Sequence, residues 1–263
     1  MNIGKRIRKK RIFNRQSGKT VIVPLDHGVT MGPIEGLEDV DQTVNMIIRG
    51  GANAAVVHKG IVMSTNRSEG TDIGLIIHLS ASTALTPQPD SKISVCDVEE
   101  AMALGADAVS VHVNVGADTE SVMLEFLGRT AKACYRWGMP LLAMMYPRGK
   151  TVQQNLASIK HAARVGGELG ADIVKCPYTG SAESFAEVVR GCPVPVVIAG
   201  GSKQTDAQTM KMIEGAMKAG AAGLSIGRNA FQHKNPELFV RTACEIVHNN
   251  LSADEALKML RRG

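Results

Sequence analysis

Lys175 closes the run Asp172-Ile173-Val174-Lys175, a charged amine at the end of a short apolar segment. A lysine in a dry cleft suits imine chemistry, because only the neutral amine attacks a carbonyl carbon. An ordinary lysine, with a pKa near 10.4, is neutral in about one molecule in 2,500 at pH 7. Lowering that pKa by roughly 3 units costs about 4 kcal/mol of ammonium stabilisation, which apolar walls and a cation such as Arg148 can supply. On the residue alone, a lysine that ion-pairs or grips a phosphate as a point charge is an equal reading. Tyr146, one of three tyrosines, ends the apolar run before that of Lys175 in Met144-Met145-Tyr146-Pro147-Arg148-Gly149. Its phenol suits proton transfer beside an imine, or it caps a barrel core. Asp26 is the carboxylate at the end of the first apolar run, either a proton acceptor or a helix N-cap or ion partner, with His27 placed to orient it.

Two further endings suit an anion. Ala199-Gly200-Gly201-Ser202 and Ile226-Gly227-Arg228-Asn229 put backbone N–H groups and a guanidinium where a phosphate could bind, and Asn229–Gln232 reads as a short helix behind them. His58, His78 and His112 end three other runs, but no H-x-H or H-E-x-x-H pair occurs. Satisfied polar side chains are therefore expected there rather than a metal site.

The elements that must position these residues are short apolar runs alternating with longer amphipathic stretches. The runs are Val21–Leu25, Ala54–His58, Leu75–Leu79, Ala108–Val113, Leu141–Met145, Asp172–Lys175, Pro195–Ala199 and Gly223–Ile226. They are apolar throughout, as in parallel strands buried on both faces. Helical patterning covers Val40–Arg49, Val98–Leu104, Ser121–Trp137, Gln153–Leu169, Ala182–Val189 and Asp206–Lys218. Glycine followed by a small residue recurs before strands, at Gly50-Gly51-Ala52, Gly105-Ala106-Asp107, Gly170-Ala171-Asp172 and Gly220-Ala221-Ala222, as left-handed helix caps require. Eight strand–helix units in 263 residues predict a single (β/α)₈ TIM barrel spanning 1–263. The first strand has no G-x-G-x-x-G turn, which disfavours a dinucleotide-binding fold. Residues 1–15 read as a basic N-terminal arm, Ser80–Ile93 as a long loop, and 252–262 as a C-terminal helix.

Composition excludes several classes. Apolar residues make up 44% and charged residues 21%, and no apolar run is long enough to cross a membrane. The opening MNIGKRIRKKR lacks an apolar stretch behind its charges, so a secretory signal is not expected. Five scattered cysteines without C-x-x-C spacing point to a reducing compartment, hence the cytoplasm. Net charge is +5, yet without Lys5, Arg6, Arg8, Lys9, Lys10 and Arg11 the balance is 24 basic against 25 acidic. With only 3% aromatic residues and none inside that arm, a solvated helix pinned by Ile7 and Ile12 is expected rather than nucleic-acid binding.

Taken together, Val23–Gly28, His58-Lys59-Gly60, Gly74–Ser80, Met144–Gly149 and Ile226–Asn229 resemble the archaeal-type class I aldolase family, over essentially the whole chain. The resemblance implies a (β/α)₈ barrel, a metal-free and cofactor-free imine mechanism, a phosphorylated ketose substrate and a homo-oligomeric ring. By matching motif it implies Lys175 as Schiff-base lysine, Tyr146 as proton donor and Asp26 as proton acceptor. His27, Gly28, Val29, Thr30, Pro147, Arg148, Gly200, Gly201, Gly227 and Arg228 are then expected to bind substrate or its phosphate. Met144-Met145 resembles the branch that performs a transaldol exchange. That branch cleaves 1-deoxy-D-threo-hexo-2,5-diulose 6-phosphate and passes the enamine-bound fragment to L-aspartate 4-semialdehyde, toward the aromatic amino acids. Fructose-bisphosphate cleavage and a phosphate-binding isomerase are the alternatives. Pro177 and Tyr178, after Lys175-Cys176, lie where relatives vary and add no support.

Overall fold

The computed structural model describes residues 2–64 and 73–262; Met1, 65–72 and Gly263 of the expected span lie outside them. The strands are β1 (Thr20–Pro24), β2 (Ala54–Val57), β3 (Gly74–His78), β4 (Ser80–Ala81), β5 (Ile93–Ser94), β6 (Ala108–Val115), β7 (Leu141–Pro147), β8 (Ile173–Pro177), β9 (Val196–Ala199) and β10 (Gly223–Ser225). The helices are α1 (Ile3–Ile12), α2 (His27–Met31), α3 (Val40–Arg49), α4 (Lys59–Ser64), α5 (Val98–Ala103), α6 (Glu120–Trp137), α7 (Leu156–Glu168), α8 (Ala182–Gly191), α9 (Asp206–Lys218), α10 (Arg228–Phe231), α11 (Pro236–Asn249) and α12 (Ala253–Arg262). Eight strands close a parallel barrel in the order β1-β2-β3-β6-β7-β8-β9-β10, while β4 and β5 form a separate antiparallel hairpin at its mouth. The fold is therefore the (β/α)₈ barrel.

Period-two alternation along each strand divides the apolar residues between two cores. Ile22, Val56, Ile76, Ala108, Leu142, Ile173 and Val197 fill the barrel interior. Val21, Val23, Ala55, Val57, Val109, Val111 and Val174 face the surrounding helices. Both faces are dry, which is why the runs carry no polar alternation. Three strands outlast their apolar runs: β6 reaches Val115, β7 reaches Pro147 and β8 reaches Pro177. Between β6 and β7 the ladder continues because Asn114 still pairs with Tyr146, although the side chains have turned polar. The ends of the expected loop Ser80–Ile93 pair as β4 and β5. α11, which the periodicity does not single out, begins at an Asn235 cap with Pro236 in the first turn, and α12 packs against α9 and α11.

The closed end of the barrel corrects the expectation for the N-terminal arm. Residues 3–12 are helical, but Ile7 is 60% exposed and only Ile12 is buried, joining the interior cluster. The charges do the rest of the anchoring. Lys5 Nζ lies 2.7 Å from Asp172 Oδ2, with side chains 8% and 14% exposed, and Arg11 pairs with Asp107. Both acids come from the Gly-Ala-Asp turns, where Gly105 and Gly170 take φ values of +80° and +99° that side-chain-bearing residues rarely adopt. Each acid also accepts an N–H at the start of a neighbouring strand: Asp107 from Leu75 and Asp172 from Leu141, both at 2.9 Å. Asn53 does the same for Val21 at 2.7 Å. The turns thus cap both a helix and the adjoining strand.

Removing one partner of a buried pair leaves an uncompensated charge, at a cost of about 3–5 kcal/mol. Lys5→Ala should lower the unfolding free energy by about 3 kcal/mol in urea, against less than about 0.5 kcal/mol for exposed Arg6→Ala. Equal midpoints for the two variants would show that the pair contributes nothing.

Candidate active site

Lys175 stands on an inward position of β8, two residues before the strand ends, and is 7% exposed. Among the described residues its ammonium makes no salt bridge or hydrogen bond. It opens instead into a cavity of about 280 Å³ shared with Asp26, Tyr146, Met144 and Arg148. Burial lowers the Lys175 pKa to about 8; the Asp26 carboxylate opposes that shift and the Arg148 guanidinium adds to it.

Asp26 follows β1 at the N-cap position of α2, yet its side chain makes no capping hydrogen bond. It faces His27 Nδ1 at 3.6 Å and His78 Nε2 at 3.9 Å. Burial alone would raise its pKa. At the acidic pH where Asp26 could take up a proton, charged His78, His27, Lys175 and His58 outweigh that and hold the carboxylate below the usual range, so it is ionised at neutral pH. Burial pushes the His78 pKa down to about 4, leaving that ring neutral. Its nitrogens lie 2.8 Å from Ser110 Oγ and 3.4 Å from Ser80 Oγ. His58 packs edge-on against it, with ring centroids 5.3 Å apart.

Tyr146 is sandwiched between His112, at 4.9 Å between centroids, and the Arg148 guanidinium, at 4.8 Å. Burial raises its pKa, so the phenol stays protonated. His112 Nε2 is 2.8 Å from Asn114 Oδ1, and among the described residues no group of His, Cys, Asp or Glu side chains is spaced to hold a metal ion.

The same cavity collects His27, Thr30, Gly200, Gly201, Gly227 and Arg228. Arg228 Nη2 donates to the Gly201 carbonyl at 2.9 Å, while its Nε is buried without a partner among the described residues. A Cβ at Gly227 would lie 2.6 Å from the His27 ring, so the glycine lets the two loops meet. The short helix behind is α10, one residue earlier than expected. A wider cleft of about 800 Å³ adjoins, bordered by Tyr146, Arg148, Gly200, Gly201 and Arg228 and continuing to Tyr178 and Lys211. Three expected binding residues lie elsewhere. Gly28 and Val29 line a separate, largely apolar cavity of about 270 Å³ on the far side of Asp26. Pro147 is buried and, adjacent to Tyr146 on β7, points to the opposite face of the sheet.

Sequence reasoning missed Lys92 and Ser225 in this cavity and left open which of Met144 and Met145 faces it. Lys92, 7% exposed, reaches in from the segment between β4 and β5. Ser225 ends β10 with a buried hydroxyl that has no partner among the described residues. Met144 is the inward member of the methionine pair, since it joins the interior cluster while Met145 joins the outer one. Alternation along β10 and β7 would have found Ser225 and settled which methionine faces inward. No periodic signal marks Lys92.

A buried lysine beside a carboxylate and a phenol, at the mouth of a (β/α)₈ barrel, is the arrangement of an aldolase, and the chain belongs to that class: residues 20–233 match the DeoC/LacD family aldolase. Among individual proteins, it is 46% identical over 256 residues to 2-amino-3,7-dideoxy-D-threo-hept-6-ulosonate synthase 1 of Archaeoglobus fulgidus, covering 97% of this chain and 95% of the relative. It is 39% identical to 2-amino-4,5-dihydroxy-6-oxo-7-(phosphonooxy)heptanoate synthase of Streptomyces griseus, covering 93% and 90%. An archaeal fructose-1,6-bisphosphate aldolase, solved with its catalytic lysine covalently bound to the carbinolamine intermediate, superposes with a TM-score of 0.86 at 32% identity, covering 93% of this chain and 99% of that one.

With a pKa of about 8, Lys175 is neutral in about one molecule in ten at pH 7. The kcat/KM profile should therefore rise with pH through a limb near 8. Arg148→Met removes a cation that lowers this pKa, so the limb should move to higher pH. A limb that stays in place in the variant would detach Arg148 from the amine.

Proposed function

We propose that the chain is a Schiff-base transaldolase. It converts 1-deoxy-D-threo-hexo-2,5-diulose 6-phosphate and L-aspartate 4-semialdehyde to 2-amino-3,7-dideoxy-D-threo-hept-6-ulosonate and hydroxypyruvaldehyde phosphate. The observation that carries this reading is Lys175, a buried amine with a lowered pKa beside an ionised carboxylate and a protonated phenol. The resemblance to synthases of seven-carbon aminoketo acids, at 39% and 46% identity, supports the substrate pair.

The steps follow from those protonation states. The neutral Lys175 amine adds to the ketone carbon of the donor to give a carbinolamine, which loses water to leave an iminium. Asp26, as the carboxylate, takes the proton from the hydroxyl on the far carbon of the bond that breaks. The electron pair of that bond moves into the iminium, forming an enamine and releasing the phosphorylated aldehyde. The enamine carbon then attacks the aldehyde of the semialdehyde and Tyr146 protonates the new alkoxide; the proton held on Asp26 returns to the Tyr146 phenolate, restoring both groups, and water hydrolyses the iminium to free Lys175. Gly200, Gly201, Gly227 and Arg228 hold the phosphate, through backbone N–H groups and a guanidinium. His27 and Thr30 line the same wall. The reading carries with it the family's expected habit, a cofactor-free cytoplasmic homo-oligomer.

Met144 favours this donor over fructose 1,6-bisphosphate. An apolar, flexible side chain packs against the methyl end of a 1-deoxy sugar, but offers no partner to the phosphate ester that the bisphosphate carries there. An unpartnered buried hydroxyl costs about 1–3 kcal/mol, and a phosphate more, so the preference in kcat/KM should be about tenfold or larger. The assay compares product formation from the semialdehyde with triose phosphate release from the bisphosphate. Faster bisphosphate cleavage without use of the semialdehyde would assign the chain to the fructose-bisphosphate aldolases. In either assay Lys175→Arg should be inactive, since a guanidinium stays protonated; turnover by that variant would end the imine mechanism.

A further inference from the structure

Lys92 has no part in the steps above, yet it is buried in the same cavity. A buried ammonium is costly unless an anion faces it. Among the described residues this one makes a hydrogen bond to the Ser82 hydroxyl and no salt bridge. Burial and the nearby Arg148 pull its pKa down, while Asp90 and Asp26 pull the other way. Arg148, which follows β7, is held by one long ion pair, its Nη1 3.8 Å from Asp90 Oδ1, and its guanidinium lies over the Tyr146 ring. Asp90 is fixed in place through its carbonyl, which accepts from Asn114 Nδ2 at 2.8 Å. Two cations and one carboxylate thus meet on one side of the mouth. The barrel order sets the hairpin that follows β3 directly across from β9, whose end leads into Gly200. Lys92 and Asp90 therefore enter from the wall opposite the phosphate cradle, and Arg148, which also borders the cleft of Gly200, Gly201 and Arg228, stands between the two.

The reaction proposed above brings in two charged substrates, and its acceptor carries a carboxylate and an ammonium on one carbon. We propose that Lys92, Arg148 and Asp90 form a subsite for the head group of an amino-acid semialdehyde, the α-carboxylate on Lys92 and Arg148 and the α-ammonium on Asp90. This inference rests on the transfer reading. A guanidinium grips a carboxylate with two parallel hydrogen bonds, and the lysine supplies a point charge beside it. The aldehyde then points down the cavity toward the enamine on Lys175, and the phosphorylated fragment leaves from the opposite wall without passing the acceptor.

Steady-state kinetics on the full chain test this, with the phosphorylated ketose as donor and either L-aspartate 4-semialdehyde or succinate semialdehyde as acceptor. The second acceptor keeps the carboxylate and lacks the ammonium. Lys92→Met should raise KM for both acceptors by about tenfold or more, with a much smaller change in KM for the ketose, and Lys92→Arg should restore most of the loss. Asp90→Asn should raise KM for L-aspartate 4-semialdehyde and leave that for succinate semialdehyde nearly unchanged. A Lys92→Met enzyme whose KM rises equally for the ketose, or not at all for the acceptors, overturns the subsite. Equal effects of Asp90→Asn on the two acceptors overturn the ammonium contact. A wild-type enzyme that transfers to neither aldehyde overturns the transfer reading, and this inference with it.

Discussion

The structure turns on the cost of keeping an amine out of water next to an anion. Burial alone would drive the Lys175 pKa far down, and a carboxylate alone would hold the amine charged and unreactive. Here the two pull in opposite directions, with Arg148 on the side of burial, and the balance falls at about 8. That value leaves enough neutral amine to attack a carbonyl while keeping an iminium, once formed, close to a stabilising carboxylate. Asp26 and Tyr146 sit on either side of this balance. The carboxylate stays ionised among histidines and Lys175, and the phenol stays protonated in a dry wall. Each is therefore in the protonation state its proposed step needs.

The barrel makes such a site affordable. Alternation along the strands stacks Ile22, Val56, Ile76, Leu142, Ile173 and Val197 beneath the reactive layer, and Ile12 closes the other end. Asp107 and Asp172 bind α1 and the starts of two neighbouring strands together. Rigidity at the closed end holds β8, and with it Lys175, in register with Met144 of β7 and Val197 of β9. The mouth is then free to carry polar residues whose burial is costly, because the core beneath does not depend on them.

Much of this was legible in the residue order. Eight apolar runs, each set off by a glycine turn or a loop, specify parallel strands buried on both faces, and α3 and α9 begin and end where their amphipathic period does. Strand ends were harder, since Asn114 and Tyr146 change polarity while their backbones keep the ladder. The N-terminal arm looked solvated because charge runs usually are. Nothing in Lys5 or Arg11 announces that acids 167 and 96 residues away will pair with them. In the glycine turns, the small residues explained the bend but not the acid that follows. Lys92 is the extreme case. It is one of 30 basic residues, in a segment without period, and only the pairing of β4 with β5 turns it toward Lys175.

The central claim is that Lys175 forms the covalent bond to substrate. Borohydride reduction of the enzyme during turnover with the phosphorylated ketose, followed by proteolysis and peptide mass mapping, measures this directly. The account expects a reduced adduct on the peptide bearing Lys175 and none on the peptide bearing Lys92. An enzyme that turns over its substrate yet carries no adduct, or carries it on Lys92, would contradict it.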